Sequence, residues 1–303
     1  ICRLHPAIAP NIPANGVFTL NQADLQGVSG FNSGNPNLSE EKSDTYTLGV
    51  VINPRSISWL RNFAFTVDYF NITIDDAIVP TPRQFILDQC YVAGNADLCQ
   101  FITRRPEPEG PNSPGSLEFI NSSVTNSGGF KTEGIDVTAS YRQNLEDWGL
   151  DGNLNLRVAW THVLKGYIIP LVAEPDRDEF NREVGGSRNK VFAQAAYTLN
   201  EFTGILRGNY IGPAYLDEQF TGIDFGDEGS EDFKVGAEFI LDAQLRWAPG
   251  DNYEFYFGVD NVLDNEPPLI PTGLSNTDTG VETNAGTYDA IGRRFYAGAT
   301  LKF

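Results

Sequence analysis

A period of two in polarity, returning in segment after segment and persisting to the last residue, restricts this chain more than any other feature. Between Arg294 and Phe303, the residues Phe295, Ala297, Ala299, Leu301 and Phe303 fall on one side, and Arg294, Tyr296, Gly298, Thr300 and Lys302 on the other. Successive side chains of a strand point to opposite faces, so this segment is a strand with one apolar and one polar face. The same pattern sets Phe63, Phe65, Val67 and Tyr69 against Ala64, Thr66 and Asp68, and Ile135, Val137, Ala139 and Tyr141 against Asp136, Thr138 and Ser140. It sets Leu154, Leu156, Val158 and Trp160 against Asn153, Asn155, Arg157 and Thr161. It recurs over Phe239–Trp247 and over Tyr253–Asp260, and less cleanly over 43–53, 188–198 and 202–214. Helical periodicity is nowhere comparably sustained. Soluble domains usually fray into polar residues at a terminus. A strand that ends in Phe predicts a tail that is itself a wall element of a closed sheet in lipid.

Two architectures use half-apolar strands, a transmembrane barrel and a soluble sandwich. Connection lengths separate them. The links at 144–149, 199–201 and 248–251 are short, whereas those at 76–115, 165–187, 215–234 and 265–287 are long. Short turns at one rim and long loops at the other describe an outer-membrane barrel whose short rim is periplasmic. Counting back from Phe303, strands must alternate in direction, so 118–143 is read as one long strand interrupted near Gly128 and Gly129. The expectation is an all-β antiparallel barrel portion of about nine strands. Single-chain bacterial barrels have even strand numbers, so nine predicts the C-terminal part of a larger barrel. Tyr141, Tyr197, Trp247, Tyr253 and Phe303 are then expected at the periplasmic ends, where amphipathic aromatic rings favour the membrane interface.

Composition supports this by exclusion. No window approaches the run of about 18 apolar residues that a spanning helix requires, and alternate strands hide from such a search. Net charge is -19 with 21 Lys plus Arg, which argues against nucleic acid or an anionic surface as partner. The chain has no Met and no secretory signal at its start, so residue 1 is not expected to be where translation began. Of 3 cysteines, Cys90 and Cys99 close a short loop that can form a disulfide in an oxidising compartment; a metal site is disfavoured because His5 and His162, the 2 histidines, lie far from it. The odd residue, Cys2, suggests a partner upstream. Two distant histidines also make a His-dependent nucleophile or a multi-histidine centre improbable, and no phosphate-cradling Gly-rich loop is present. The chain is not expected to be an enzyme, and no cofactor is expected.

Several segments carry a family resemblance. Gly34-Asn-Pro-Asn-Leu-Ser-Glu-Glu-Lys-Ser-Asp-Thr-Tyr-Thr-Leu-Gly49 resembles the Asn-Pro-x-Leu-x-x-Glu-x-Ser segment of TonB-dependent outer-membrane receptors. Val67–Ile78, Thr132–Asp136, Gly258-Val-Asp-Asn-Val-Leu-Asp264 and the C-terminal strand resemble that family in the same order. The resemblance covers the C-terminal part of a barrel that typically has 22 strands around an N-terminal plug, neither the plug nor the TonB-contacting segment being present. It implies residues 1–42 as an extracellular lead-in and 43–303 as barrel. It also implies a C-terminal assembly signal at Phe295, Leu301 and Phe303. The implied function is import of a scarce extracellular ligand across the bacterial outer membrane, with energy delivered through TonB. The implied partners are outer-membrane lipid, TonB through the N-terminal part, the protein's own plug and a small ligand. A passive diffusion channel and a surface-adhesion barrel are the alternatives.

Site expectations follow from the same reading. Arg157, Arg207, Arg246 and Arg294, with Asp136, Asp242, Glu254 and Asp260, are expected to line a wet lumen and to pair with each other or with the plug. The acidic loop bearing Asp224, Asp227, Glu228, Glu231 and Asp232 is a candidate calcium loop, since hard cations take flexible carboxylate oxygens. Its plain alternative is a solvated acidic loop. The Cys90–Cys99 bridge is expected to stiffen a ligand-facing loop.

Overall fold

The computed structural model describes residues 8–12, 14, 16–25, 28–57, 60–169, 177–216, 233–270 and 282–302. It contains strands β1 (Ser29–Ser33), β2 (Lys42–Ile52), β3 (Phe63–Pro80), β4 (Ile102–Arg104), β5 (Leu117–Asn144), β6 (Asn153–Ile169) and β7 (Asn189–Leu199). These are followed by β8 (Phe202–Ile211), β9 (Ala214–Tyr215), β10 (Lys234–Val235), β11 (Glu238–Trp247), β12 (Tyr253–Asp260) and β13 (Arg294–Leu301), with helices α1 (Arg83–Tyr91) and α2 (Ala96–Cys99). Eleven strands share one sheet, in which β2, β3, β5, β6, β7, β8, β11, β12 and β13 form a single path in chain order. β1 and β4 pair alongside β5. The path is open, with β2 and β13 at its ends, so the fold is an all-β barrel portion that does not close on itself. The long strand expected at 118–143 is continuous as β5, 28 residues long.

By contacts the chain divides into two compact units, one of Ile1–Ser43, Ile74–Gly129 and Ile169–Arg177, the other of Asp44–Thr73, Phe130–Ile168 and Asp178–Phe303. The second holds the regular wall. There β6 to β8, β11, β12 and β13 pair antiparallel in unbroken register. The link between β7 and β8 is only Asn200-Glu201, with Asn200 at φ 51. Asn tolerates the left-handed conformation that a two-residue hairpin demands. Close approach decides two glycines on β12 and β13. Tyr296 lies over Gly258 and Tyr256 over Gly298, and each ring occupies the space a Cβ would need. The two rings sit 6.2 Å apart.

The first unit has its own core, built where the sequence reading expected a long loop at 76–115. β3 runs on to Pro80, with the Ile78 amide donating to Glu41 Oε1 at 2.6 Å. Helix α1 then begins after Pro82. Its Ile86 and Cys90, one turn apart, are buried with Ile102 and Ile120, which follows from the i, i+4 geometry of a helix face. Cys90 and Cys99 are disulfide-bonded and so tie α1 to α2. Arg104 closes the cluster, its Nε donating to Tyr91 Oη at 2.9 Å and its guanidinium lying 4.9 Å over that ring.

Candidate functional site

Residues directly opposite in a ladder share a face, so the second unit can be read row by row. One row runs Arg157, Gln194, Arg207, Asp242. The next runs Asn155, Ala196, Ile205, Gln244, Gly258, Tyr296. The opposite face carries Leu154, Tyr197, Gly204, Leu245, Phe257, Ala297 and then Leu156, Ala195, Leu206, Ala243, Val259, Phe295.

The charges named from sequence meet on the polar face. Arg207 Nε donates to Gln194 Oε1 at 3.3 Å and stands opposite Asp242. Arg246 pairs with Glu254 at 3.4 Å, and Arg294 with Asp260 at 3.4 Å and Asp289 at 4.0 Å. Thr161 Oγ1 donates to Asp136 Oδ1 at 2.6 Å. Arg157 stands opposite Gln194 and joins no ion pair among the described residues. Such open pairs contribute about 0–1 kcal/mol each; their effect is to keep this face wet.

The other face is apolar and bare. Leu156, Val158, Leu206, Phe239, Leu245, Phe255 and Phe257 are exposed there, Leu245 at 53% and Phe295 at 68%. A large apolar side chain left half in water forgoes on the order of 1 kcal/mol, so about a dozen on one face forgo roughly 10–20 kcal/mol. That matches or exceeds the whole stability of a typical domain, about 5–15 kcal/mol. An apolar medium over the face removes the cost.

Aromatic residues edge this face at both ends. At the short-turn end Trp247 stacks on Phe202 and Phe255, with ring centroids 6.1 and 5.5 Å away. Its Nε1 donates to Glu201 at 3.2 Å, and Tyr197 Oη donates to the Asp151 carbonyl at 2.8 Å. At the other end Trp160 Nε1 donates to Asn189 Oδ1 at 3.1 Å, beside His162. Along β7, Asn189 to Tyr197 covers roughly 26 Å of strand. Tilted by about 40°, that spans roughly 20 Å, close to the apolar band of an outer-membrane barrel, about 25 Å tall.

The long-connection end holds residues that the sequence reading did not single out. Asn261, fully buried at φ 51, donates its amide to Asp242 Oδ1 at 3.0 Å. Its side chain accepts from the Asn265 amide at 3.0 Å and donates to the Asn265 carbonyl at 2.9 Å. Gly258–Asp264 carried the signal, as a motif whose purpose only the backbone reveals. Nearby, Leu216, Val235, Ile270 and Tyr288 form a buried cluster contributed by two connections, β8 to β11 and β12 to β13. Burial, and then the Glu238 carboxylate, push the Tyr288 hydroxyl up to about 12, and it has no hydrogen-bond partner among the described residues.

Of the expected C-terminal signal, Phe295 faces Val259 and Leu301 faces Tyr253, both on the apolar face. Phe303 and the candidate calcium loop, with Asp224, Asp227, Glu228, Glu231 and Asp232, lie outside the described residues. Among the described residues no three His, Cys, Asp or Glu side chains gather as a metal site, and no helix is long and apolar enough to cross a membrane.

Strands that are polar on one face, bare and apolar on the other, aromatic at both ends, and linked alternately by short and long connections define the wall of a transmembrane β-barrel. Residues 9–262 match the family model "TonB dependent receptor-like, beta-barrel", and the chain belongs to that family. No curated protein sequence matches it. Among solved structures it is similar to the FrpB iron transporter of Neisseria meningitidis, F3-3 variant (19% identity, TM-score 0.54, 90% of this chain and 33% of that one). It is also similar to the ferric enterobactin receptor PfeA of Pseudomonas aeruginosa in complex with BCV-L6 (16%, TM-score 0.57, 90% and 33%). A third is the siderophore receptor PirA of Acinetobacter baumannii (14%, TM-score 0.51, 88% and 32%). The chain thus spans about a third of the length of these receptors, and at such identities the likeness is one of fold. The family comprises transport receptors of the Gram-negative outer membrane rather than enzymes.

Proposed function

We infer that this chain forms barrel wall and surface loops of an outer-membrane active-transport receptor, which imports a scarce extracellular ligand with energy delivered through TonB. One observation carries the reading: an apolar face with nothing laid over it among the described residues, on strands whose connections alternate short and long. In this reading 43–303 is barrel, the polar face with Arg157, Arg207, Arg246, Arg294 and Asp242 lines the lumen, and Phe295, Leu301 and Phe303 form the assembly signal. Residues 1–42 lead in on the extracellular side, and the disulfide-tied helix pair stiffens a ligand-facing loop. Outer-membrane lipid, TonB and a plug domain are the partners. A ferric chelate is the cargo to test first, since FrpB is an iron transporter and PfeA a ferric enterobactin receptor; nothing among the described residues selects it over another small ligand.

The test is uptake of labelled ferric chelates by cells carrying the intact receptor. Accumulation that stops when the proton gradient is collapsed or TonB is deleted supports active import. Accumulation that continues unchanged points to a passive channel, and surface binding with no accumulation points to adhesion.

A further inference from the structure

The apolar face of the second unit is not uniformly studded. At Ala195 on β7, Gly204 on β8 and Ala243 on β11 the side chains shrink on three adjacent strands, and a depression of about 420 Å³ opens over them. Leu154, Leu206 and Phe257 are among its walls. It crosses five strands, β6 to β12, rather than following one. At about 4.8 Å per strand it is roughly 19 Å long. Because the strands of such barrels tilt by about 40°, a trough perpendicular to them descends roughly 12 Å, close to one leaflet of a hydrocarbon core about 30 Å thick. Tyr197 of the short-turn aromatic band lines it, so it opens toward the short-turn side.

Resting on the membrane placement inferred above, we propose that this trough seats one acyl chain of a phospholipid with an amine-bearing, zwitterionic headgroup, drawn from the short-turn leaflet. An acyl chain is the apolar rod available on a face bathed in hydrocarbon, and the trough has its aspect. The headgroup class follows from charge. The turns beneath these five strands, residues 145–152, 200–201 and 248–252, carry Glu146, Asp147, Asp151, Glu201 and Asp251 and no Lys or Arg; of these acids Asp147 is paired with Arg61 at 3.8 Å, which leaves four to set the charge of the rim. An acidic rim repels a net anionic headgroup and attracts an ammonium. The seat is a specific lipid site on the wall, distinct from any cargo site in the lumen.

The experiment uses the intact receptor in bilayers containing a phosphatidylethanolamine with a photoactivatable acyl chain, and maps the labelled peptides. Labelling is expected to concentrate on 153–155, 195–197, 204–206, 243–245 and 257–259. Gly204→Leu puts bulk into the trough at a position where a Cβ meets nothing within 4 Å. It should lower this labelling about tenfold, as expected when between one and two methylenes lose their seat. Val158→Phe adds bulk to the same face outside the trough and should leave the labelling unchanged. A phosphatidylglycerol with the same tail should label the trough less than the ethanolamine lipid. If Gly204→Leu does not assemble, Ala243→Leu tests the same loss. Labelling spread evenly over the outer strands and indifferent to both fillings overturns the seat while leaving the membrane placement intact. Equal labelling by both headgroups overturns the headgroup assignment. Protection of the trough that grows with receptor concentration makes a second copy the occupant and overturns the proposal. Absence of lipid labelling along the whole apolar face instead overturns the membrane placement on which it rests.

Discussion

Asn261 illustrates how one side chain fixes a strand end. Buried and left-handed, it satisfies both backbone groups of Asn265 and hands its own amide to Asp242. Asn261→Ala orphans those groups and removes a side chain suited to the left-handed region. We expect a loss of about 2–3 kcal/mol, read as a lower urea midpoint in detergent micelles. Tyr288 makes a different prediction. With its hydroxyl pushed up to about 12 from an ordinary 10, the folded state keeps a proton that the unfolded state has already released. Stability therefore falls as pH rises from about 10 to about 12, by roughly 2–3 kcal/mol in all, and is unaffected below. Tyr288→Phe should abolish that slope in an alkaline unfolding series. At neutral pH it should be neutral or stabilising by up to about 1 kcal/mol, because the hydroxyl lacks a partner among the described residues. In sequence Asn261 was visible only as part of the Gly258–Asp264 resemblance, and Tyr288 only as the residue that follows the long connection 265–287. Burial arises from elements distant along the chain.

Strands differ in how openly they announce themselves. β11 and β12 alternate cleanly because Asp242, Gln244, Arg246, Glu254 and Tyr256 take the polar face. β7 and β8 blur because Phe192, Ala196, Ile205 and Ile211 occupy that same face, so the two-residue period weakens although pairing is complete. Helix α1 was not anticipated at all. It is nine residues long, and isolated helices under about 12 residues are marginal. Packing of Ile86 and Cys90 against Ile102 and Ile120 holds it, together with the disulfide. The bridge itself was visible as spacing. Replacing Cys90 and Cys99 by Ser should loosen this unit by about 2–3 kcal/mol on the chain-entropy account. Hydrogen exchange across 81–105 should report the loosening, while amides of β11 and β12 keep their protection.

For the wall as a unit, facing matters more than any single contact. Leu206 and Ile205 are neighbours on β8 that point to opposite faces. In a bilayer, Leu206→Arg should cost about 2–4 kcal/mol, whereas Ile205→Arg, on the polar side, should cost about 0–1 kcal/mol. The contrast is read from folded fractions in urea titrations of vesicle-inserted protein, and near-equal values would remove the assignment of faces. The fold was largely legible because this two-sidedness is written plainly in most strands; the trough was not, because it needs Gly204 set diagonally between Ala195 and Ala243, and register alone supplies that. The bare apolar face also bears on the route the protein takes to its place. A finished wall with grease on its outer surface would clump in any watery compartment it crossed, so the polypeptide must travel unfinished, in the care of escorts, and acquire its shape only on arrival at the bilayer.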